Sequence, residues 1–256
     1  MAEPNNFVWY ELMTSDLEAA EAFYKTVVGW KPEAWGGADM PYVIMKAGEA
    51  GVAGLMTIPE DAANMGLRPA WVGYIGTPDV DAATQRIKQE GGKVHREPAD
   101  IPEVGRFSVV ADPQGAMFML LTPTGEDTAP ESMMAPGQVG WRELYAAEWK
   151  GAFDFYSRQF GWTRGEAMDM GEMGIYLIFG TGSDEGVGGM MTKPAQVPFA
   201  HWLFYFNVPD IDAALLKVTE NGGQVVNGPM EVPGGAWIIQ AMDPQGAMFA
   251  LVGARN

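Results

Sequence analysis

Two hydrophobic periods follow one another along this chain, and their order repeats. Phe7 to Met13 is a mainly apolar run interrupted by Glu11, and reads as a strand. Thr14-Ser15-Asp16 then offers N-cap residues. Leu17, Ala20, Tyr24 and Val27 follow at helical spacing, and Gly29 stops the helix. Trp30 to Trp35, Tyr42 to Lys46 and Val52 to Ile58 read as three further strands, the last closed by Pro59. The order is βαβββ. Residues 60–69 read as a connector, after which the order recurs. Trp71 to Gly76 is a strand, and Val80, Ala83 and Ile87 mark a helix that ends at Gly91-Gly92. Lys93 to Arg96, Phe107 to Ala111 and Met117 to Leu121 are strands.

Thr122 to Gly137 is rich in Pro, Thr, Glu and Gly, lacks periodicity and reads as a linker. The whole pattern then restarts. Trp141-Arg142-Glu143-Leu144 answers Trp9-Tyr10-Glu11-Leu12, Phe155-Tyr156 answers Phe23-Tyr24, and Gly161-Trp162 answers Gly29-Trp30. Trp202 answers Trp71, and Gly222-Gly223 answers Gly91-Gly92. The heptapeptide Asp112-Pro113-Gln114-Gly115-Ala116-Met117-Phe118 returns unchanged as Asp243 to Phe249. A Pro-Gln-Gly turn before an apolar run is a tight turn feeding a buried strand. The chain therefore reads as four βαβββ modules in an α+β fold. Two modules paired edge to edge would form an eight-stranded sheet with helices on one side and a concave face on the other, where a ligand would bind.

This combination resembles the vicinal oxygen chelate superfamily, to which glyoxalase I, extradiol dioxygenases and bleomycin-resistance proteins belong. Its carriers are the Asp16-Leu17-Glu18-Ala19-Ala20…Phe23-Tyr24 helix and the Asp-Pro-Gln-Gly turn before the last strand. The tandem form with Trp9-Tyr10-Glu11-Leu12-Met13 as first strand is most similar to bacterial glyoxalase-like proteins often labelled hydroxylases. The resemblance implies two tandem glyoxalase-like domains, residues 4–123 and 137–254, joined by a linker at 124–136. It also implies a metal site. Metal-using members place His or Gln on the first strand of each module pair, His or Glu on the matching strand of the second module, and Glu on the last strand. Such ligands suit divalent Zn, Ni, Mn or Fe. Counted back from Asp16, the first position is Trp9, and its counterpart is Trp141. The matching strands carry Val72 and Leu203, and the last strands carry Met119 and Ala250. None of the six is a ligand for such an ion.

Composition narrows the partners. A hydrophobic share of 47% and a charged share of 19% over 256 residues describe a globular protein. The net charge of −17, from 33 acidic against 16 basic residues, argues against nucleic acid and anionic membranes. Its plainer reading is solubility. The absence of cysteine excludes disulfides and thiolate chemistry. Met1 to Asn6 has no signal-peptide pattern, and no apolar run approaches a membrane span, so a cytoplasmic protein is expected. A monomeric pseudo-dimer or a homodimer would both fit the duplication.

Strand alternation puts Glu11 on the same face as Trp9, and Glu143 on that of Trp141. A carboxylate in an aromatic cup would serve as a general base or a polar anchor, or would simply be neutralised by an arginine and fix the strand. Tyr74 and Tyr205 share the inner phase of their strands and read either as pocket walls or as satisfied core tyrosines. His201 has the phase of Leu203 and reads as a base, a donor or a solvent-facing strand end; Ala70 stands in its place in the first half. His95 reads as a surface residue. Trp9, Trp141 and Met119 are the expected lining. The catalytic candidates are thus Glu11 and Glu143, and the ligand-binding candidates are Trp9, Tyr74, Met119, Trp141, His201 and Tyr205. No cofactor is expected, with a divalent metal on unorthodox ligands as the alternative. Two functions follow. One is metal-free binding of a small, partly apolar molecule. The other is a lyase, isomerase or oxygenase-type enzyme working through Glu11 or Glu143.

Overall fold

A computed structural model describes residues 5–35, 41–64, 66–125, 132–182 and 186–255. The expected domain start at residue 4 and residues 126–131 of the expected linker lie outside the described residues. The four modules are present. The first consists of β1 (Phe7–Thr14), α1 (Leu17–Val27), β2 (Lys31–Trp35), β3 (Tyr42–Ala47) and β4 (Ala50–Thr57). The stretch read as a bare connector contains a short helix, α2 (Glu60–Asn64). Its five residues bury no side chain, which is why no apolar period announced it. The second module follows as β5 (Ala70–Gly76), α3 (Val80–Gln89), β6 (Lys93–Ile101), β7 (Gly105–Ala111) and β8 (Met117–Pro123). The third is β9 (Val139–Ala146), α4 (Trp149–Phe160), β10 (Thr163–Asp169), β11 (Ile175–Gly180) and β12 (Gly188–Thr192). The fourth is β13 (His201–Asp210), α5 (Ile211–Glu220), β14 (Gln224–Glu231), β15 (Trp237–Met242) and β16 (Met248–Ala254).

Each module helix opens on an acidic cap. Asp16 accepts from the Ala19 amide, Asp79 from Ala82, Glu148 from Lys150 and Gly151, and Asp210 from Ala213. These carboxylates satisfy amides that the first helical turn leaves without partners. The strands form two eight-stranded sheets, ordered β2-β3-β4-β1-β5-β8-β7-β6 and β10-β11-β12-β9-β13-β16-β15-β14. The first sheet is thus built from residues 7–123 and the second from residues 139–254.

Compact packing divides the chain differently from the sheets. The described residues of Met1–Val8, Val72–Ala129 and Trp141–Leu203 form one unit, which holds most of modules two and three. Those of Trp9–Trp71, Pro130–Gly140 and Phe204–Asn256 form the other, which holds most of modules one and four. In the second of these units α1 packs against α5, and in the first α3 packs against α4.

The second unit is centred on Tyr24, which is fully buried. Its ring meets Trp71 and Phe249 edge-on at 5.2 and 5.4 Å, and Trp30 and Phe206 join the cluster. Its hydroxyl accepts from Trp71 Nε1 at 2.8 Å and donates to Asp243 Oδ2 at 3.1 Å. Asp243 is the first residue of the repeated heptapeptide. Its other oxygen accepts the amides of Gln245 and Ala247 at 3.0 and 2.8 Å, which builds the turn. One carboxylate therefore shapes the turn of module four and holds the helix of module one.

The first unit repeats this arrangement. Tyr156, also fully buried, accepts from Trp202 Nε1 at 3.0 Å and donates to Asp112 Oδ2 at 3.2 Å. Asp112 in turn accepts the amides of Gln114 and Ala116. Here the heptapeptide also supplies Gln114, whose side chain exchanges two hydrogen bonds of 2.8 Å with the backbone of the α4 cap residue Glu148.

Residues 132–137, at the end of the linker, are fastened to the second unit. Asn207 Nδ2 donates to the carbonyls of Met133 and Ala135, and Trp30 Nε1 donates to that of Gly137 at 2.6 Å.

Burial raises the pKa of both aspartates above the ordinary value of 3.8, against the lowering effect of the amides and the tyrosine hydroxyl. A folded carboxyl that holds its proton more tightly than the unfolded one makes stability fall as pH rises from 3.8 through the raised folded value. In urea titrations across that interval, the stability of the wild type should fall relative to Asp243→Asn, whose amide does not titrate. A parallel pair of profiles would show that Asp243 is not strained by burial. Tyr24→Phe leaves Asp243 Oδ2 and Trp71 Nε1 buried without their partner, and should cost about 1–3 kcal/mol at neutral pH.

Candidate functional site

Along β1 the residues Tyr10, Leu12 and Thr14 share one face and are buried, whereas Trp9, Glu11 and Met13 share the other. β4 lies between β1 and β3: Glu11 pairs with Gly54, and Gly54 pairs with Ile44 on its far side. Tyr42, at the head of β3, reaches across β4 to β1. Its hydroxyl accepts from Trp9 Nε1 at 2.9 Å and donates to Glu11 Oε2 at 3.2 Å. The crossing depends on Gly54. A Cβ there would lie 1.7 Å from the Tyr42 hydroxyl oxygen and 2.2 Å from Cζ, so no larger residue leaves the ring in place. Glu11 is 6% exposed. Burial first, and then the charge of Glu11, push the Tyr42 hydroxyl far above the ordinary phenol range, so it stays protonated and acts as a donor.

The other unit contains the same triad. Trp141 Nε1 donates to the Tyr176 hydroxyl at 2.8 Å, and the hydroxyl is hydrogen-bonded to Glu143. Tyr176 crosses β12 above Gly189, the register partner of Glu143, and a Cβ at Gly189 would sit 2.1 Å from the hydroxyl oxygen. Burial and then Glu143 likewise raise the Tyr176 hydroxyl well above its ordinary value. Tyr42 and Tyr176 were not among the residues expected from sequence. The signal that could have found them is a tyrosine opening the third strand and a glycine in the middle of the fourth, in both repeats.

The remaining candidates fall into separate groups. Tyr74 and Met119 are register partners on β5 and β8, with Val109 on the other side of Met119. At the equivalent place in module four, Tyr205 pairs with Ala250, and Gln240 occupies the position of Val109. Gln240 Nε2 donates to the Tyr205 hydroxyl at 2.9 Å. His201 is half-buried and stacks on Tyr145, with ring centroids 5.2 Å apart and planes 13° from parallel. Its Nδ1 lies 3.2 Å from the Phe199 carbonyl oxygen. Burial, aided by the charge of Lys193 and opposed by the Phe199 carbonyl, lowers its proton affinity, so the ring is neutral at pH 7. His95 is exposed, as expected.

Metal chelation does not fit these side chains. Trp9, Trp141, Val72, Leu203, Met119 and Ala250 offer no nitrogen or oxygen ligand suited to a divalent ion. Among the described residues no three His, Asp or Glu side chains are grouped so that they could hold one.

Against known proteins, the family model described as Glyoxalase/Bleomycin resistance protein/Dioxygenase superfamily matches residues 6–120 and again residues 138–251. The chain belongs to that superfamily. The two matches fall one on each sheet, so the superfamily's fold is present twice. The chain is 33% identical over 248 residues to the protein named "Putative glyoxylase CFP32" of Mycobacterium tuberculosis, covering 95% of this chain and 93% of that protein. It is 31% identical over 272 residues to "Anthracycline biosynthesis protein DauV" of a Streptomyces species, covering 99% and 94%. Among solved structures, the Mn(II)-bound glyoxalase of Novosphingobium aromaticivorans matches with a TM-score of 0.67 at 17% identity, over 99% of this chain and 83% of that one. The 2,3-dioxygenase LapB of Pseudomonas sp. KL28 matches with a TM-score of 0.67 at 15% identity, over 100% and 94%. These structures share the superfamily fold with the chain. No helix among the described residues is long and apolar enough to cross a membrane.

The seating of Tyr42 can be tested by substitution. Tyr42→Phe keeps the ring above Gly54 and removes both hydrogen bonds, so it should lower stability by about 1–3 kcal/mol in urea titration. Gly54→Ala evicts the ring as well and should cost more than Tyr42→Phe. An alanine variant as stable as the wild type would place the ring elsewhere.

Proposed function

We propose that this superfamily member binds small, planar, partly apolar molecules without a metal, against the Trp–Tyr–Glu triad of each repeat. The observation that carries the reading is the triad itself. At the first-strand position where the superfamily resemblance implies a chelating side chain, a tryptophan is held by a tyrosine that also holds a buried glutamate. The indole supplies a flat apolar surface of fixed orientation, and the carboxylate supplies an acceptor for one polar group of the ligand. Recognition of this kind needs no cation. Proteins named for anthracycline biosynthesis are among the relatives that align over nearly the full chain. Anthracyclines are planar, hydroxylated polycycles, and that ligand class suits a fixed indole face beside a carboxylate.

A second reading is favoured by the Tyr–Glu contact. A tyrosine kept protonated beside a carboxylate is a donor and acceptor pair, the minimum equipment for a lyase or isomerase that moves a proton on its substrate. Glu11 and Glu143 would then be catalytic bases, and turnover would disappear in Glu11→Gln and Glu143→Gln while ligand affinity persisted.

The primary reading is tested by titrating chelator-treated protein with 2-hydroxyanthraquinone and following tryptophan fluorescence. Two equivalents are expected to bind. Trp9→Ala should weaken one site about tenfold and Trp141→Ala the other, as loss of an aromatic stacking surface implies. Trp9→Phe should retain most of the affinity. Binding that returns only when Mn, Zn or Fe is added would overturn the metal-independent reading, and absence of binding would overturn the ligand class.

A further inference from the structure

The two triads are alike, but their neighbours differ. In the second repeat Tyr145 follows Glu143 by two residues on β9 and therefore lies on the same face as Trp141 and Glu143, about 7 Å beyond Glu143 and about 13 Å beyond Trp141. His201 stacks on that Tyr145. The first repeat has Met13 at the position of Tyr145 and Ala70 at that of His201. It has instead Trp35, which is 40% exposed and meets Tyr42 edge-on at 5.6 Å. One triad is thus extended by an indole, and the other by a phenol and an imidazole.

The imidazole has a defined polarity. A carbonyl oxygen only accepts, so the contact between His201 Nδ1 and the Phe199 carbonyl requires the proton to reside on Nδ1. In the neutral ring Nε2 then presents a lone pair. Among the described residues Nε2 has no hydrogen-bond partner. The Phe199 ring, 66% exposed, stands edge-on to the imidazole at 6.0 Å. The imidazole therefore has the Tyr145 ring parallel to its face and the Phe199 ring edge-on to it.

We propose that the second-repeat site prefers ligands carrying a weakly acidic aromatic hydroxyl more strongly than the first-repeat site does, with His201 Nε2 as an acceptor that the first site lacks. This rests on the binding reading above and divides its two sites by ligand chemistry. A planar ring against Trp141 directs one edge along the strand face toward Tyr145 and His201, and a hydroxyl on that edge donates to Nε2. In the first repeat the same edge would meet Met13 and Ala70, which accept no such bond.

The test compares 2-hydroxyanthraquinone with 2-methoxyanthraquinone, which has the same rings but no donor. Wild-type protein is titrated with each, alongside Trp141→Ala to isolate the first-repeat site and Trp9→Ala to isolate the second. The second site should prefer the hydroxyl probe about tenfold more than the first site does, the effect of one hydrogen bond. The first should show only the smaller preference that Glu11 confers. His201→Phe keeps an aromatic ring on Tyr145 and removes Nε2, so it should weaken the hydroxyl probe more than the methoxy probe and reduce the preference at the second site to that of the first. Equal weakening of both probes would reduce His201 to a packing surface and overturn the proposal, as would an unaltered preference. A nitrogen-correlated NMR spectrum supplies a ligand-free check, because the chain has two histidines and His201→Phe assigns the signal. A protonated Nδ1 with an unprotonated Nε2 is expected, and the opposite tautomer would overturn the assignment. Failure of both probes to bind at either site would instead sink the binding reading itself.

Discussion

Each unit of this protein depends on a tyrosine hydroxyl buried with an aspartate. Tyr24 and Tyr156 have no exposed surface, and Asp243 and Asp112 are 4% and 3% exposed. A carboxylate in such a place is costly unless its oxygens are bonded, and here one oxygen takes two turn amides while the other takes the phenol. The same phenol receives an indole N–H, so every member of the network is satisfied by another. In both units the tyrosine comes from the helix of one module and the aspartate from the last turn of another, drawn from opposite repeats. Aromatic packing around the phenol would tolerate many arrangements. The hydrogen bonds fix one.

Much of this was legible in the sequence, to different depths. The repeated heptapeptide identified the turn and set the register of the last strand, and alternation put Trp9 with Glu11 and Trp141 with Glu143. What the heptapeptide holds was not legible. Tyr24 lies 219 residues from Asp243, and no local pattern couples them. Tyr42 escaped for another reason. It belongs to a strand that is not a neighbour of β1, so its contact with Glu11 follows only from the sheet order together with the glycine in the strand between. The stacking of His201 on Tyr145 likewise joins two strands, and strand phase alone assigned the histidine a face without a partner.

Duplication makes the differences between repeats informative. The turn, the caps and the Tyr–Asp locks are present in both. Positions on the triad face vary. Met119 and Val109 in one module correspond to Ala250 and Gln240 in another, and there the smaller alanine accompanies a glutamine hydrogen-bonded to Tyr205. Met13 and Ala70 correspond to Tyr145 and His201. These positions are where the two halves differ in chemistry, although Met119, Ala250 and Met13 are themselves buried.

The triad also explains how the fold persists at this position without a chelating side chain. A histidine at the first-strand position of a metal-using member would be held by its bond to the ion. An indole in its place needs another restraint, and the tyrosine provides it by accepting the indole N–H. That phenol must then place its own proton, and the glutamate two residues along β1 or β9 accepts it. Burial first, and then the charge of the glutamate, raise the phenol's pKa and so preserve the donor that the glutamate uses. Gly54 and Gly189 are the geometric condition for this loop, since the phenol must pass over an intervening strand to reach both partners. A side chain at either glycine would remove the ring, release the indole and take the phenol's hydrogen bond from a buried carboxylate, so the four residues of each site depend on one another.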